Sequence, residues 1–301
     1  MSVGLASGRP ARRRRYRLRR ILTEASSATL CVVLVIWSLT PVYNMVVIAL
    51  DPEGETEFSG RIWPPDASLE SFRMIWTEGY WYLEHIWHQF GNSLYIGLLT
   101  MLLTMLIGSL ASFAVDRMRF AKGWLLTDAA LLTYAVPASF LAIPFSRIVQ
   151  SYGLSDNLWA VIAAEVTFAT PYAILIFQQY AKLIPMELDE AARVDGASPV
   201  QVYLRIYLPL MAPALAAVGT YALLLAWNEY LYQYLLLSST KSTTVAVAME
   251  QFFDSDEAPW NYMMATAIVY ALPPIAVFYA LRRYMAAGLT MRGTRSVRGE
   301  A

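Results

Sequence analysis

Glu165, Asn228 and Glu229 each interrupt a long apolar run in this chain of 301 residues. A charged group at the centre of a membrane helix costs ~2.5–3.5 kcal/mol on insertion scales, so it lines a polar path or bonds to a neighbouring helix. The sequence leaves both readings open for these three residues. Trp227, Tyr230, Tyr232 and Tyr234 surround the Asn228-Glu229 pair and offer ring faces and hydroxyls of the kind that hold sugars. Aromatic residues near a span end also form the belt at the lipid–water boundary, and that reading stays open too. Asp128 sits close to a span end, where a carboxylate reaches water. His85 and His88 are the only histidines, spaced i, i+3; they offer two metal ligands with nothing nearby to complete a set, and an interfacial belt accounts for them. There is no Gly-x4-Gly-Lys-Ser/Thr phosphate loop, so ATP is not expected to be bound and hydrolysed here by that route. Neither a Ser/His/Asp nor a Cys/His arrangement stands out. No catalytic or metal residue is expected.

A second kind of chemistry, docking, is suggested by Glu190-Ala-Ala-Arg-Val-Asp-Gly196, followed by Ile206-Tyr-Leu208-Pro209. Pro185 suits a first helical turn, and Glu187, Asp189 and Glu190 crowd the positive N-terminal end of that helix. Asp189 and Arg193 lie four apart and are expected to pair across one turn. Gly196 falls where a helix stops in the left-handed region that glycine enters freely. Ser198-Pro199-x-Gln201 then restarts the chain with a capping box. The spacing predicts two short helices meeting at a hinge, the first presenting Leu188, Ala191 and Ala192 as a small apolar patch for a partner.

The elements that must carry these residues are membrane helices. Hydrophobic residues make up 57% of the chain, mean hydropathy is +0.42 and there are nine Trp, too apolar for a soluble domain of this size. The lone Cys31 lies in an apolar run and excludes a disulfide framework. Uncharged or nearly uncharged stretches predict six spans at about 25–50, 89–115, 124–148, 158–181, 207–236 and 261–281, with prolines in five of them. Those prolines suggest bent helices around a cavity rather than a straight bundle. Gly108-x-x-x-Ser112 in the second span permits close helix packing. Between the first two spans, Trp76, Trp81 and Trp87 suit a helix lying at the water–lipid boundary, and Asp66-x-Ser68 reads as a capped helix start.

Charge supplies the orientation. Residues 1–20 hold eight arginines and no acid, read as a cytoplasmic anchor before the first span rather than a nucleic-acid arm, so no nucleic-acid partner is expected. Residues 51–88 hold eight acids against Arg61 and Arg73, and Glu250, Asp254, Asp256 and Glu257 make the segment before the sixth span acidic. Of the 23 Lys and Arg residues, 19 fall in the N-terminus, the 116–123 turn, the 182–205 segment and the tail from Arg282. The positive-inside rule therefore places both termini, and the Glu190–Gly196 stretch, in the cytoplasm. The expected organisation is a basic segment at 1–24, a six-span domain at 25–284 with an external segment at 51–88 and a cytoplasmic segment at 182–205, and a tail at 285–301.

The spacing Glu190-Ala-Ala, Gly196, Leu208-Pro209 resembles the EAA signature of bacterial ABC-importer permease subunits. Asn92-Ser93, Ala226-Trp-Asn-Glu229 and Gly288-Leu-Thr290 are similar to the maltose-type carbohydrate permeases. The resemblance covers roughly residues 20–290. It implies an all-α membrane protein of the type I ABC importer permease fold in the bacterial inner membrane, and a subunit that is not itself an enzyme. The implied partners are a second homologous permease, a cytoplasmic ATPase dimer carrying ATP and Mg, an extracytoplasmic substrate-binding protein, membrane lipid and a carbohydrate substrate. Carried over residue by residue, Glu190, Ala191, Ala192, Gly196, Leu208 and Pro209 form the ATPase-coupling element. Glu165, Trp227, Asn228, Glu229 and Tyr230 are the candidates for the translocation path. Gly288-Leu-Thr-Met-Arg-Gly departs from the family's usual ending. A permease for a polyamine or an anion is the alternative within this class; a secondary transporter or membrane enzyme would show inverted repeats or catalytic clusters, and the sequence has neither.

Overall fold

A computed structural model of the chain describes residues 9–52, 62–118, 122–253 and 259–296. Glu53, Glu55, Glu57, Arg61, Arg119, Asp254, Asp256, Glu257 and residues 297–301 of the expected tail lie outside the described residues, as do the side chains of Leu289 and Thr290. Every regular element among the described residues is a helix, with no strand among them.

Two compact units divide the chain. One comprises Met1–Phe72 and Pro259–Ala265. It contains α1 (Arg9–Ala49), whose apolar part Arg20–Ala49 is long enough to cross a membrane; Pro41 lies within it. The chain after α1 is pinned by Ser68 N–H donating to the Leu50 carbonyl at 2.8 Å, by Asn261 Nδ2 donating to the Asp51 carbonyl at 3.1 Å and by the Tyr43 hydroxyl on the Ile62 carbonyl. Ser68 Oγ then accepts the Glu70 N–H and starts α2 (Glu70–Thr77), as the Asp66-x-Ser68 pattern suggests. The boundary aromatics are split among three elements, α2, a single 3-10 turn at Trp81–Leu83 and the first turn of α3 (Ile86–Arg117). Trp76 and Trp87 meet edge to face at 5.2 Å.

The second unit, Arg73–Ala258 and Thr266–Ala301, holds the packed core. Along α3, Asn92, Ile96, Thr100, Thr104, Gly108 and Ser112 recur every four residues and are all buried. That stripe of mostly small side chains lets α6 (Leu158–Ala181) approach closely, the packing mode of helices that gain nothing by burying oil against oil. At Gly108 a Cβ would stand 2.9 Å from the Ala173 Cβ and 3.1 Å from a Phe177 ring carbon.

Two expected spans are broken rather than continuous. The third comprises α4 (Gly123–Thr133) and α5 (Ala138–Ser151), bent by 94° at a break that ends on Pro137. Pro137 has no N–H to donate, and its ring disfavours helical backbone at Val136 before it. After α6 come α7 (Glu187–Val194), α8 (Pro199–Val202), a wide turn at Tyr203–Tyr207 and α9 (Leu208–Leu210). A bend of 78° at Met211 leads into α10 (Ala212–Asn228), and the chain breaks again before α11 (Leu231–Leu236). The fifth expected span is therefore the bent pair of Pro199–Leu210 and α10, not one helix over 207–236. After α12 (Val245–Ala248) and a 3-10 turn at Met249–Phe253, α13 (Trp260–Ser296) runs past the expected span end, its apolar part being Trp260–Met285. Among the described residues, four helices can cross a membrane by length and composition, six if each bent pair counts as one span.

Candidate functional site

The stretch around Glu190 is built as its local chemistry dictates at both ends and differs in the middle. α7 begins after Met186, whose carbonyl accepts from the Asp189 and Glu190 N–H groups, so Pro185 stands just outside the helix rather than in its first turn. The helix closes with a paired cap. Ala197 N–H donates to the Ala192 carbonyl at 2.9 Å, and Gly196 N–H to the Arg193 carbonyl at 3.0 Å, with Gly196 at φ +84°. This is the Schellman arrangement, which needs a residue comfortable in the left-handed region. Ser198 and Gln201 complete the reciprocal capping box that starts α8.

The expected Asp189–Arg193 pair does not form. Asp189 turns inward and its Oδ2 lies 3.4 Å from Nη1 of Arg117, with both side chains almost fully buried. Arg193 Nη2 donates instead to the Arg117 carbonyl at 3.3 Å. A long-range charge outcompetes the helical neighbour because Asp189 faces the core, where an unpaired carboxylate is costly. The apolar patch is likewise divided. Ala192 packs with Ala197 and Leu208 against a buried cluster containing Phe177, Tyr203, Tyr207 and Met211. Leu188, Glu190, Ala191 and Pro209 are exposed. The outward surface thus carries Leu188, Glu190 and Ala191, while Ala192 and Leu208 anchor it.

The candidates for the polar path fall into different surroundings. The Glu165 side chain is wholly buried in α6, and neither carboxyl oxygen has a hydrogen-bond partner among the described residues. Trp227 is buried and stacks on Tyr270 at 4.6 Å; its carbonyl, released by the end of α10, accepts from the Tyr270 hydroxyl at 2.7 Å. Asn228 is exposed, its Nδ2 donating to the Leu224 carbonyl at 2.8 Å. The Glu229 carboxylate accepts from the Tyr232 and Gln233 N–H groups and so caps α11. Tyr230 is half-buried and stacks on Tyr234 at 5.5 Å. Elsewhere, Asp128 and the His85 side chain are exposed, and no three potential metal ligands cluster among the described residues.

Two contributors escape a reading by spacing. Gln233 bridges the break between α10 and α11, donating Nε2 to the Ala226 carbonyl at 2.9 Å and accepting from the Thr244 hydroxyl. Arg117 reads in the sequence as one of several positive charges in a basic turn. The available signal is its place as the first cation after an uncharged span, next to Asp116.

Comparison with known proteins bears on the whole of this architecture. Residues 104–291 match the family described as binding-protein-dependent transport system inner membrane component. The chain is 31% identical over 265 residues to the trehalose transport system permease protein of Mycobacterium tuberculosis, covering 87% of this chain and 94% of that protein. It is 28% identical over 258 residues to the arabinooligosaccharides transport system permease protein of Halalkalibacterium halodurans, covering 85% and 90%. Among solved structures it is similar to a chain of a bacterial ABC transporter involved in the import of the acidic polysaccharide alginate, with TM-score 0.74 at 18% identity over 93% of this chain and 99% of that one. The structural likeness establishes a shared fold, and the family match covers the broken spans, α7 and the turn at Gly196. The chain belongs to the family of inner membrane components of binding-protein-dependent transport systems.

Proposed function

We propose that this chain is one of two permease subunits of an ABC importer for a carbohydrate, forming half of the translocation path and receiving the energy of ATP hydrolysis from a separate ATPase pair. Relatives named for trehalose, arabinooligosaccharides and diacetylchitobiose support a sugar, oligosaccharide or polyol as the cargo. A neighbour solved in complex with a periplasmic protein bound to an alginate pentasaccharide supports delivery by an extracytoplasmic binding protein. ATP and Mg belong to the ATPase, not to this chain.

The observation that carries the coupling role is the construction of α7. It is a short helix with an exposed Leu188–Glu190–Ala191 surface, closed by the Gly196 turn and anchored through Ala192 and Leu208 on the core between the spans. The charge distribution puts that surface in the cytoplasm, where an ATPase would meet it. Closure of the ATPase pair would push on α7 and swing the spans between inward- and outward-facing states. Bent spans suit the proposed path, because irregular backbone at membrane depth is tolerated where it is covered by protein or lines a water-filled cavity.

The test is reconstitution of the four-component importer in lipid vesicles, followed by uptake of labelled disaccharides, oligosaccharides, polyamines and anions. ATP-dependent, binding-protein-dependent uptake of a sugar is the expected result. Uptake of a polyamine or anion with no sugar moved would replace the cargo and keep the mechanism. Uptake without the ATPase would sink the reading altogether.

A further inference from the structure

The Arg117 guanidinium reaches α7, the link before it, the end of α6 and Tyr207. It sits at the last residue of α3, with its side chain 1% exposed. Nη1 faces Asp189 Oδ2 in α7 at 3.4 Å and Met186 Sδ at 2.8 Å. Nη2 donates to the carbonyls of Ala181, the last residue of α6, and of Ile184 in the following turn, each at 3.0 Å. The ring of Tyr207, which leads toward α10, lies 5.8 Å from the guanidinium carbon. Arg193 closes the circle from α7 onto the Arg117 carbonyl.

By covalent connection alone, α7 hangs from the spans by two short links, residues 182–186 and 195–198. One holds Pro185 and the other turns through Gly196 in the left-handed region. A push on α7 could be absorbed there. The guanidinium bypasses both links: its planar fork forms an ion pair with the α7 carboxylate while donating to the carbonyls of Ala181 and Ile184. The Ala181 carbonyl belongs to the negative end of the α6 dipole, so the cation is held from two sides.

We propose that Arg117 is a positioning residue that transmits displacement of α7 to α3 and α6, making the three move as one body during the transport cycle. This rests on the reading of α7 as the helix an ATPase contacts. Without the Arg117–Asp189 contact, α7 still docks and ATP is still hydrolysed, but less of the movement reaches the spans.

The experiment uses the complete importer in vesicles, with uptake and ATP hydrolysis measured on the same sample. Asp189→Asn keeps the shape and removes the charge; Arg117→Lys keeps the charge but cannot span three acceptors. In both, solute moved per ATP is expected to fall about tenfold, equivalent to about 1.4 kcal/mol of lost coupling. Asp189→Glu is expected to restore most of the ratio. A purely structural role lowers uptake and hydrolysis together; an unchanged ratio in assembled Asp189→Asn importer overturns the proposal. Should neither buried variant assemble, Arg193→Gln, whose exposed side chain donates to the Arg117 carbonyl, carries the test. A lowered ratio there supports the proposal, and an unchanged one overturns it. Leu188→Cys, made with Cys31→Ser, reports separately on docking. Failure to cross-link to the ATPase defeats the reading of α7, whereas cross-linking with an unchanged ratio defeats the Arg117 proposal alone.

Discussion

Both carboxylate oxygens of Glu229 lie 3.0 Å from the backbone nitrogen of Tyr232. The fifth span ends at Asn228, and the acidic residue after it supplies acceptors for the first free N–H groups of α11, including that of Gln233 at 3.2 Å. Loss of a helix cap costs ~0.5–2 kcal/mol. Glu229→Ala is therefore expected to loosen Leu231–Leu236 selectively, seen as faster amide exchange there with α10 unchanged. Glu229→Gln, which keeps one acceptor oxygen, should fall between. If both variants leave the exchange of α11 untouched, the carboxylate does not hold the helix.

Asn228, next to that cap, is the exposed member of the proposed path. With Cys31 replaced by serine, Asn228→Cys is expected to react with a membrane-impermeant thiol reagent from one aqueous side. Trp227→Cys, on the buried side of the same turn, should react more slowly. Equal protection of both positions, with and without ATP, would assign this turn to helix packing and remove it from the path.

A Cβ on Gly196 would meet nothing within 4 Å, so any penalty for a larger residue there is conformational rather than steric. Its φ of +84° costs an ordinary L-residue roughly 1–2 kcal/mol, while Asn tolerates the region better. Uptake by the reconstituted importer should follow the order Gly, Asn, Ala, Val, with membrane insertion equal in all four. Full coupling in Gly196→Val would mean that the turn does not set the angle between α7 and α8.

Much of this element is legible in the sequence because caps are local. Ser198, Gln201 and Gly196 act within four residues of themselves, and the patterns that announce them are the contacts they make. Asp189 shows where locality stops. Spacing offers Arg193 four residues on, yet the carboxylate takes Arg117, 72 positions away, because burial chooses its partner. The membrane segments repeat the lesson. Apolar length marks where helices run, and Pro137 and Pro209 mark weak points, but bends of 94° and 78° depend on packing between elements. Ala191 and Ala192 are the same residue side by side; only the fold decides that one is exposed and the other packs on the core.

Close approach of α3 and α6 makes Gly108 a sensitive position. A methyl group placed there would stand 2.9 Å from Ala173 Cβ and against the Phe177 ring, both rigid neighbours. Overpacking of this kind costs ~1–3 kcal/mol. Gly108→Ala should lower the thermal midpoint of the detergent-solubilised protein, and Ala173→Gly added to it should recover part of the loss. The non-additivity of that pair is the diagnostic, because sites in contact couple and distant ones do not. Additive losses would mean that the two helices do not meet at these residues.

Outside the spans, Asp156 ties the α5–α6 turn to the segment after α11. Burial opposes its ionisation, but the Ser242 hydroxyl and the Ser238 and Ser239 N–H groups together hold its carboxyl well below the usual carboxylate range. A group whose folded pKa is depressed contributes stability above its unfolded value, near 3.9, and loses that contribution as pH falls toward the folded one. Neutral pH therefore keeps the tie intact. Below about pH 4 its contribution shrinks, because the unfolded chain takes up the proton while the folded carboxylate, held ionised by its donors, does not until the pH nears its depressed value. Protection of the Ser238 and Ser239 amides, relative to intrinsic exchange at each pH, should fall over that range in the parent protein, while Asp156→Asn should show lower protection already at pH 7 with little further change on acidification. Equal acid sensitivity in the two proteins would place the titrating group elsewhere.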